Sequence, residues 1–166
     1  MKKRPYKDKS HRENASQFFV AGELCRRGFI AVVTMGNSPT TDILCSNKKG
    51  TKFVHIQVKT YRPGDRNCSV GLKAEENHGE NFFWVLCGVP ERDQKEEMEF
   101  YIIPSSKMAK NVKRSTDIWM KKPGKRVKKH DPKNKFRAVA MPPRKNQNGW
   151  DISKYKDSWE LIEDKL

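Results

Sequence analysis

The sequence predicts an α/β (α+β) fold in which a mixed central β-sheet is flanked by helices. Three observations predict it. A segment of helical period lies between Asn14 and Gly28. Five short apolar runs follow between Phe29 and Pro104, separated by turn residues. An amphipathic segment then closes the chain, with Tyr155, Trp159 and Ile162 at helical spacing.

Residues 1–13 are charged and are expected to form a flexible basic N-terminus, leaving 14–166 as a single domain. Asn14 offers an N-cap, with Gln17 three residues on as in a capping box. Ala15, Phe18, Phe19, Gly22 and Cys25 then recur at helical spacing as the apolar face, and Gly28 stops the helix. "FIAVV" (29–33) reads as a buried strand, "DILC" (42–45) as a short one, and "SNKKGT" as the hairpin turn after it. "FVHIQVKT" (53–60) has two faces: Val54, Ile56 and Val58 on one, His55, Gln57 and Lys59 on the other. A Pro/Gly loop and a polar stretch lead to "NFFWVLCGV", apolar throughout and so a central strand. "EFYIIP" is the next strand, closed by Pro104, and "SSKMAKNVKR" a short helix capped by Ser105 or Ser106. Lysine and arginine dominate from Lys121 to Lys145, with a basic insertion around 121–135 and only "KFRAVAMP" strand-like.

The formal charge of +15 and pI near 9.8 point to a polyanionic partner, of which nucleic acid is the commonest. Lys121, Lys122, Lys125, Arg126, Lys128, Lys129, Lys133 and Lys135 crowd together with only Asp131 opposing them, and are the expected nucleic-acid contact. Trp119 beside them is suited to stack on a base, although Trp119, Trp150 and Trp159 more often serve as packing anchors. No long apolar segment or basic amphipathic helix is present, so a membrane partner is not expected. Cys25, Cys45, Cys68 and Cys87 form no CxxC pair, which argues against zinc. Reduced thiols and a basic start with no apolar region behind it imply a cytoplasmic protein.

A strand face carrying Gln57 and Lys59 serves no packing purpose. The turn between the second and third strands makes them antiparallel neighbours, so Asp42, Gln57 and Lys59 gather at one end of a hairpin. A carboxylate and an amide carbonyl can share a hard divalent cation such as Mg2+. A lysine beside them can orient a water and stabilise negative charge on a phosphate. The structural readings are plainer: Asp42 as a turn residue, Gln57 and Lys59 as solvated strand polars, His55 as a hydrogen-bonded packing residue. The clustering of the three favours chemistry.

This pattern resembles the PD-(D/E)XK nuclease superfamily, in which an Asp begins one strand and (D/E)XK lies on the next. Asp42 matches the first position, preceded by "SPTT", and Gln57-Val58-Lys59 the second, with glutamine at the acidic place. "ASQFFVAGELCRRGF" is similar to the superfamily's first helix, whose acid Glu23 matches. The resemblance implies a restriction-endonuclease-like core and a metal-dependent DNA endonuclease of restriction, homing or resolvase type. It implies Mg2+ or Mn2+ held by Asp42, the Gln57 carbonyl and the Val58 backbone carbonyl, with Lys59 and Glu23 completing the catalytic set. Double-stranded DNA is the expected partner, cut by a homodimer or higher homo-oligomer. Two other readings stay open: an inactive nucleic-acid-binding protein of the same fold, supported by the neutral Gln57, and a basic RNA-binding protein.

Overall fold

The computed structural model describes residues 9–34, 38–123 and 129–166. Helix α1 (Lys9–Arg26) starts one and a half turns before the expected N-cap, so Lys9 to Glu13 are helical rather than part of a flexible tail. Strands β1 (Ile30–Val33), β2 (Ile43–Ser46) and β3 (Phe53–Tyr61) form an antiparallel meander. The β2–β3 turn is made by Asn47, whose Oδ1 accepts the Thr51 N–H at 2.9 Å, and by Gly50 at φ 64°. After β4 (Asn67–Ser69) and a 3-10 turn (Leu72–Glu75), strand β5 (Phe82–Gly88) enters parallel to β3. Strand β6 (Glu99–Pro104) then pairs antiparallel with β5, giving a mixed sheet in the order β1-β2-β3-β5-β6.

Helix α2 (Ser105–Lys121) is longer than expected from its sequence. Ser105 does not cap it: its buried Oγ accepts the His78 N–H at 2.8 Å, tying the helix start to the loop before β5. "KFRAVAMP" contributes β7 (Ala138–Ala140), which pairs with β4 in a separate two-stranded ribbon. The closing segment is a 3-10 turn (Ser153–Tyr155) and a short helix α3 (Glu160–Glu163) rather than one amphipathic helix. Asp157, at φ 52°, takes the left-handed conformation that interrupts it, yet Tyr155, Trp159 and Ile162 are all buried as expected.

Two cores cover the two faces of the sheet. Val20 and Leu24 of α1 pack with Val54, Ile56, Val58, Phe83, Val85 and Trp159 on one face. Met108 and Val112 of α2 pack with Trp84, Leu86, Ile103, Val139 and Tyr155 on the other. Strand β5 therefore supplies alternate residues to both cores, which is why its sequence is apolar without alternation. Strand β1 is not buried as expected: it is an edge strand, with Ile30 and Val32 exposed. Burial pushes the thiols of Cys45, Cys68 and Cys87 up to about 12, making them inert core residues.

Gly88 shows why that position of β5 carries no side chain. A Cβ there would lie 2.7 Å from the Tyr61 Oη and 2.8 Å from its Cζ. The buried Tyr61 crosses this spot to donate to Glu99 Oε2 at 2.7 Å, and burial, reinforced by that bond, raises its hydroxyl pKa so that it stays a donor. Gly88→Ala is expected to destabilise the fold by roughly 1–3 kcal/mol through overpacking. A lower urea midpoint with an unchanged m-value is the result to look for; an unaltered midpoint would mean the Tyr61 ring moves aside at no cost.

Candidate active site

The antiparallel register places Asp42 one residue before β2 and opposite Gln57 on β3. Its backbone N–H donates at 2.9 Å to the carbonyl of Ile56, the residue that Ile43 already faces, so β2 meets β3 in a bulge at its last step. Beyond that step β2 has no further residues to offer β3, so the next β3 amide must find another acceptor. That acceptor is the Asp42 side chain: Oδ2 takes the Val58 N–H at 2.7 Å. The Gln57 Nε2 also donates to Oδ2. Among the described residues Oδ1 receives no hydrogen bond, and neither does the Gln57 Oε1. The Val58 N–H and C=O share the β2 side of β3 past the end of β2, and Val58 lines the groove there.

Lys59 follows on the same strand, and its charge acts on Asp42. Burial pushes the Asp42 carboxyl above its ordinary range; the Val58 amide, the Lys59 charge and the Gln57 amide pull it down, and Glu13 adds to the upward shift. Asp42, Gln57, Val58 and Lys59 all line one open groove of about 1130 Å³ at this end of the sheet. Gln57 is 8% exposed, so its polar group is committed to the groove rather than to bulk water.

Glu23 does not line this groove. It binds Arg26 at 2.8 Å and Arg27 at 2.9 Å, the former holding its carboxyl below the usual range, and Arg27 continues to Glu163 at 3.0 Å. The reason is the helix face. The residues of α1 that pack on the sheet are Ser16, Val20, Ala21 and Leu24, while Phe18 and Phe19 are 58% and 45% exposed. The expected apolar face is thus the outer one, and Glu23 is not among the residues that line the groove. The helix acid that lines the groove is Glu13, with Gln17 one turn on. Ser16 fixes that turn: its Oγ donates to the Glu13 carbonyl at 2.7 Å and so accepts from Thr60 Oγ1 at 2.6 Å on β3. The spacing Glu13, Ser16/Gln17, Val20, Leu24 carries the signal that could have identified Glu13.

Three further groove residues were not legible in the sequence. Glu91, in the loop after β5, accepts from Arg12 of α1 at 3.3 Å and from Arg62 after β3 at 3.2 Å. Arg62 also faces Asp65 at 3.7 Å. These pairs tie the helix, the β3 exit and the β5 exit together at the groove.

Among the described residues no three His, Cys, Asp or Glu side chains form a metal-binding group. The donor set at the groove is instead mixed: the carboxylates of Asp42 and Glu13, the Gln57 amide and the Val58 carbonyl. All are hard oxygen donors, and a half-turn of the Gln57 amide exchanges Nε2 for Oε1, so the set fits a hard cation such as Mg2+ or Mn2+. His55 is exposed, with Nδ1 3.2 Å from Thr41 Oγ1, outside the groove lining.

Of the basic cluster, Lys121, Lys122, Lys129, Lys133 and Lys135 are exposed. Lys125, Arg126 and Lys128 lie outside the described residues. Trp159 and Trp150 take packing roles: Trp159 is core, with the Arg27 guanidinium 5.2 Å from its ring centroid, and Trp150 stands edge-on to Tyr155. Trp119 stacks on His130 with centroids 3.6 Å apart. No helix among the described residues is long and apolar enough to cross a membrane.

No protein-family model and no curated protein sequence matches the chain. Among solved structures, the fold is similar to that of a bacterial homing endonuclease, with a TM-score of 0.52 over 95% of this chain and 94% of that one, at 16% identity. A second similar structure is Hjc, a Holliday junction resolvase of Archaeoglobus fulgidus, with a TM-score of 0.44 over 86% of this chain and 93% of that one, at 14% identity. The mixed five-stranded sheet with its flanking helices thus shares its overall fold with that homing endonuclease.

Proposed function

We propose that this chain is a metal-dependent DNA endonuclease that hydrolyses phosphodiester bonds in the groove at the end of β2 and β3. The observation that carries the reading is the convergence of Asp42, Gln57, Val58 and Lys59 with Glu13 on one groove. The nuclease-type fold supports it, as does the charge of +15. Glu13 takes the helix-acid role first expected of Glu23.

A Mg2+ or Mn2+ ion held by Asp42, the Gln57 and Val58 oxygens and Glu13 would supply Lewis acidity at the phosphate. The rest falls to the chain. The Asp42 carboxylate is fixed by the Val58 N–H, so Oδ1 is held toward the groove without loss of rotamer freedom on binding. Lys59 places its ammonium where negative charge develops on the phosphoryl oxygens and can orient a water for attack. Glu13, held by the Ser16–Thr60 pair, accepts hydrogen bonds from water on the helix side.

Conversion of supercoiled plasmid to nicked or linear form, dependent on Mg2+ or Mn2+ and stopped by EDTA, is the direct test. Intact plasmid at all metal concentrations, with binding retained, would favour the inactive binding module instead. Duplex DNA is the proposed substrate, and a homodimer is the proposed cutting unit.

Affinity for duplex DNA should fall steeply with salt. Replacing Lys129, Lys133 and Lys135 with alanine should flatten the slope of log K against log salt by up to about 2.7, at about 0.9 for each phosphate that a lysine no longer neutralises. Anisotropy titrations at several salt concentrations measure this. An unchanged slope would place the DNA away from this surface, and a weakening confined to one sequence would contradict a phosphate role.

A further inference from the structure

A second, smaller pocket of about 240 Å³ lies between α2 and the β4–β7 ribbon. Its walls include Trp119, Asn134, Phe136, Lys145, Asn146 and Gln147. We propose that this pocket is a nucleobase subsite, receiving one unpaired base of the nucleic acid whose backbone lies in the catalytic groove. The inference rests on the nucleic-acid reading given above.

Four observations carry it. The first is an orphaned amide. Asn146 is 8% exposed, and its Oδ1 accepts the Ala140 N–H at 2.6 Å, which fixes the amide's orientation. Its Nδ2 is buried without a hydrogen-bond partner. Buried donors are satisfied in nearly all cases, and a ligand acceptor that displaced the side chains closing over it would satisfy this one. The ring nitrogens and carbonyl oxygens of nucleobase edges are acceptors of this kind.

The second is aromatic surface with no core use. Phe136 is 64% exposed at the pocket, and Trp119 adds a ring whose stacking partner is His130. Aromatic faces beside amide groups suit a planar, polar-edged ligand. The third is size. The pocket falls just under the roughly 300–1,000 Å³ typical of drug-sized ligands, which suits one ring system rather than a folded peptide or a whole nucleotide.

The fourth is position and charge. Asn67 of β4 lines both this pocket and the catalytic groove, so the two adjoin at that residue. Lys145 stands on the rim, and Lys122 Nζ bonds the Gln147 Oε1 at 3.1 Å. These cations favour a ligand attached to phosphates over a neutral metabolite. A base within a stacked duplex presents only its edges, so a whole ring enters only when it is bulged, mismatched or extruded. The pocket thus selects for distortion rather than for sequence alone.

The test uses the full chain in EDTA, so that binding is read without cleavage. Two duplexes of one sequence are compared, one carrying a single bulged 2-aminopurine and the other the same base paired with thymine. Wild type should bind the bulged duplex more tightly and alter the 2-aminopurine fluorescence. Phe136→Ala should weaken binding of the bulged duplex by roughly 5- to 150-fold, the range found when a base-stacking aromatic is removed. Asn146→Asp keeps the acceptor for the Ala140 N–H but replaces the donor, and should weaken the same complex while leaving the paired duplex unaffected. Since Phe136 is exposed, its variant keeps the fold even if Asn146→Asp does not.

Equal wild-type affinity for the two duplexes, unchanged by Phe136→Ala, would overturn the pocket while leaving the nuclease reading intact. Equal weakening on both duplexes would make Phe136 a general DNA contact and also overturn it. If neither duplex is bound, the nucleic-acid reading itself fails and takes the pocket with it.

Discussion

Asp42→Asn is expected to abolish metal-dependent plasmid cleavage while leaving the fold more stable at neutral pH. The activity loss should be at least about 10²–10³-fold, the cost of removing one group that stabilises the transition state. The stability gain has a separate cause. Burial is the largest influence on the Asp42 carboxyl and raises its pKa, outweighing the Val58 amide, the Lys59 charge and the Gln57 amide. A carboxyl whose folded pKa lies above its unfolded value binds its proton more readily when folded. Its ionised form therefore costs stability above the folded pKa, and that cost disappears as pH falls below the unfolded one. Asparagine keeps an oxygen for the Val58 N–H and carries no charge to desolvate. In EDTA, Asp42→Asn should melt above wild type at pH 7, with the gap closing as the pH is lowered through the carboxylate range. Differential scanning calorimetry at several pH values measures this, and DNA anisotropy should show binding retained. Wild-type cleavage by the variant would remove Asp42 from the chemistry. A melting temperature lowered at pH 7 would mean that the Lys59 charge and the amide hydrogen bonds outweigh burial.

The strand part of this site was legible because strand geometry is local. A two-residue period and one short turn suffice to place Asp42 opposite Gln57 with Lys59 two residues on. The helix part was not, because a helix has several faces and the sequence marks the wrong one. Phe18 and Phe19 are the largest apolar residues of α1, and the structure leaves both largely exposed. The face that packs uses the polar Ser16, buried because Thr60 satisfies its hydroxyl. Hydrophobicity alone cannot recognise a buried serine as inward-facing, since the partner that makes it tolerable is 44 residues away. The same limit applies to "FIAVV", whose apolar character suggested burial although topology leaves it at the sheet edge. It applies again to the polar stretch before β5: its short β4 is stabilised by β7, which follows some seventy residues later. The groove's arginine–carboxylate wall likewise joins Arg12, Arg62 and Glu91, which only the tertiary fold brings together.

Glu13→Gln should lower cleavage by roughly 10²-fold or more, whereas Glu23→Gln should leave it near wild type. The two glutamates sit ten residues apart on α1, about 15 Å along the axis at 1.5 Å per residue, so they cannot serve one site. Glu13 lines the groove and its negative charge reaches Asp42. Glu23 is consumed by Arg26 and Arg27 in a cluster that continues to Glu163. Removing its charge loosens solvent-facing ion pairs, worth roughly 0–1 kcal/mol, and touches nothing in the groove. The variants also separate by a readout that general destabilisation would not move. If Glu13 helps to hold the ion, Glu13→Gln should raise the Mg2+ concentration giving half-maximal rate, and excess Mg2+ should recover part of the activity. Glu23→Gln should leave that titration curve in place and shift only the melting temperature, by a small amount. Loss of activity in Glu23→Gln with an unshifted Glu13→Gln would restore the acid expected from the sequence. Equal mild effects from both would mean that Asp42, Gln57 and Lys59 work without a helix carboxylate.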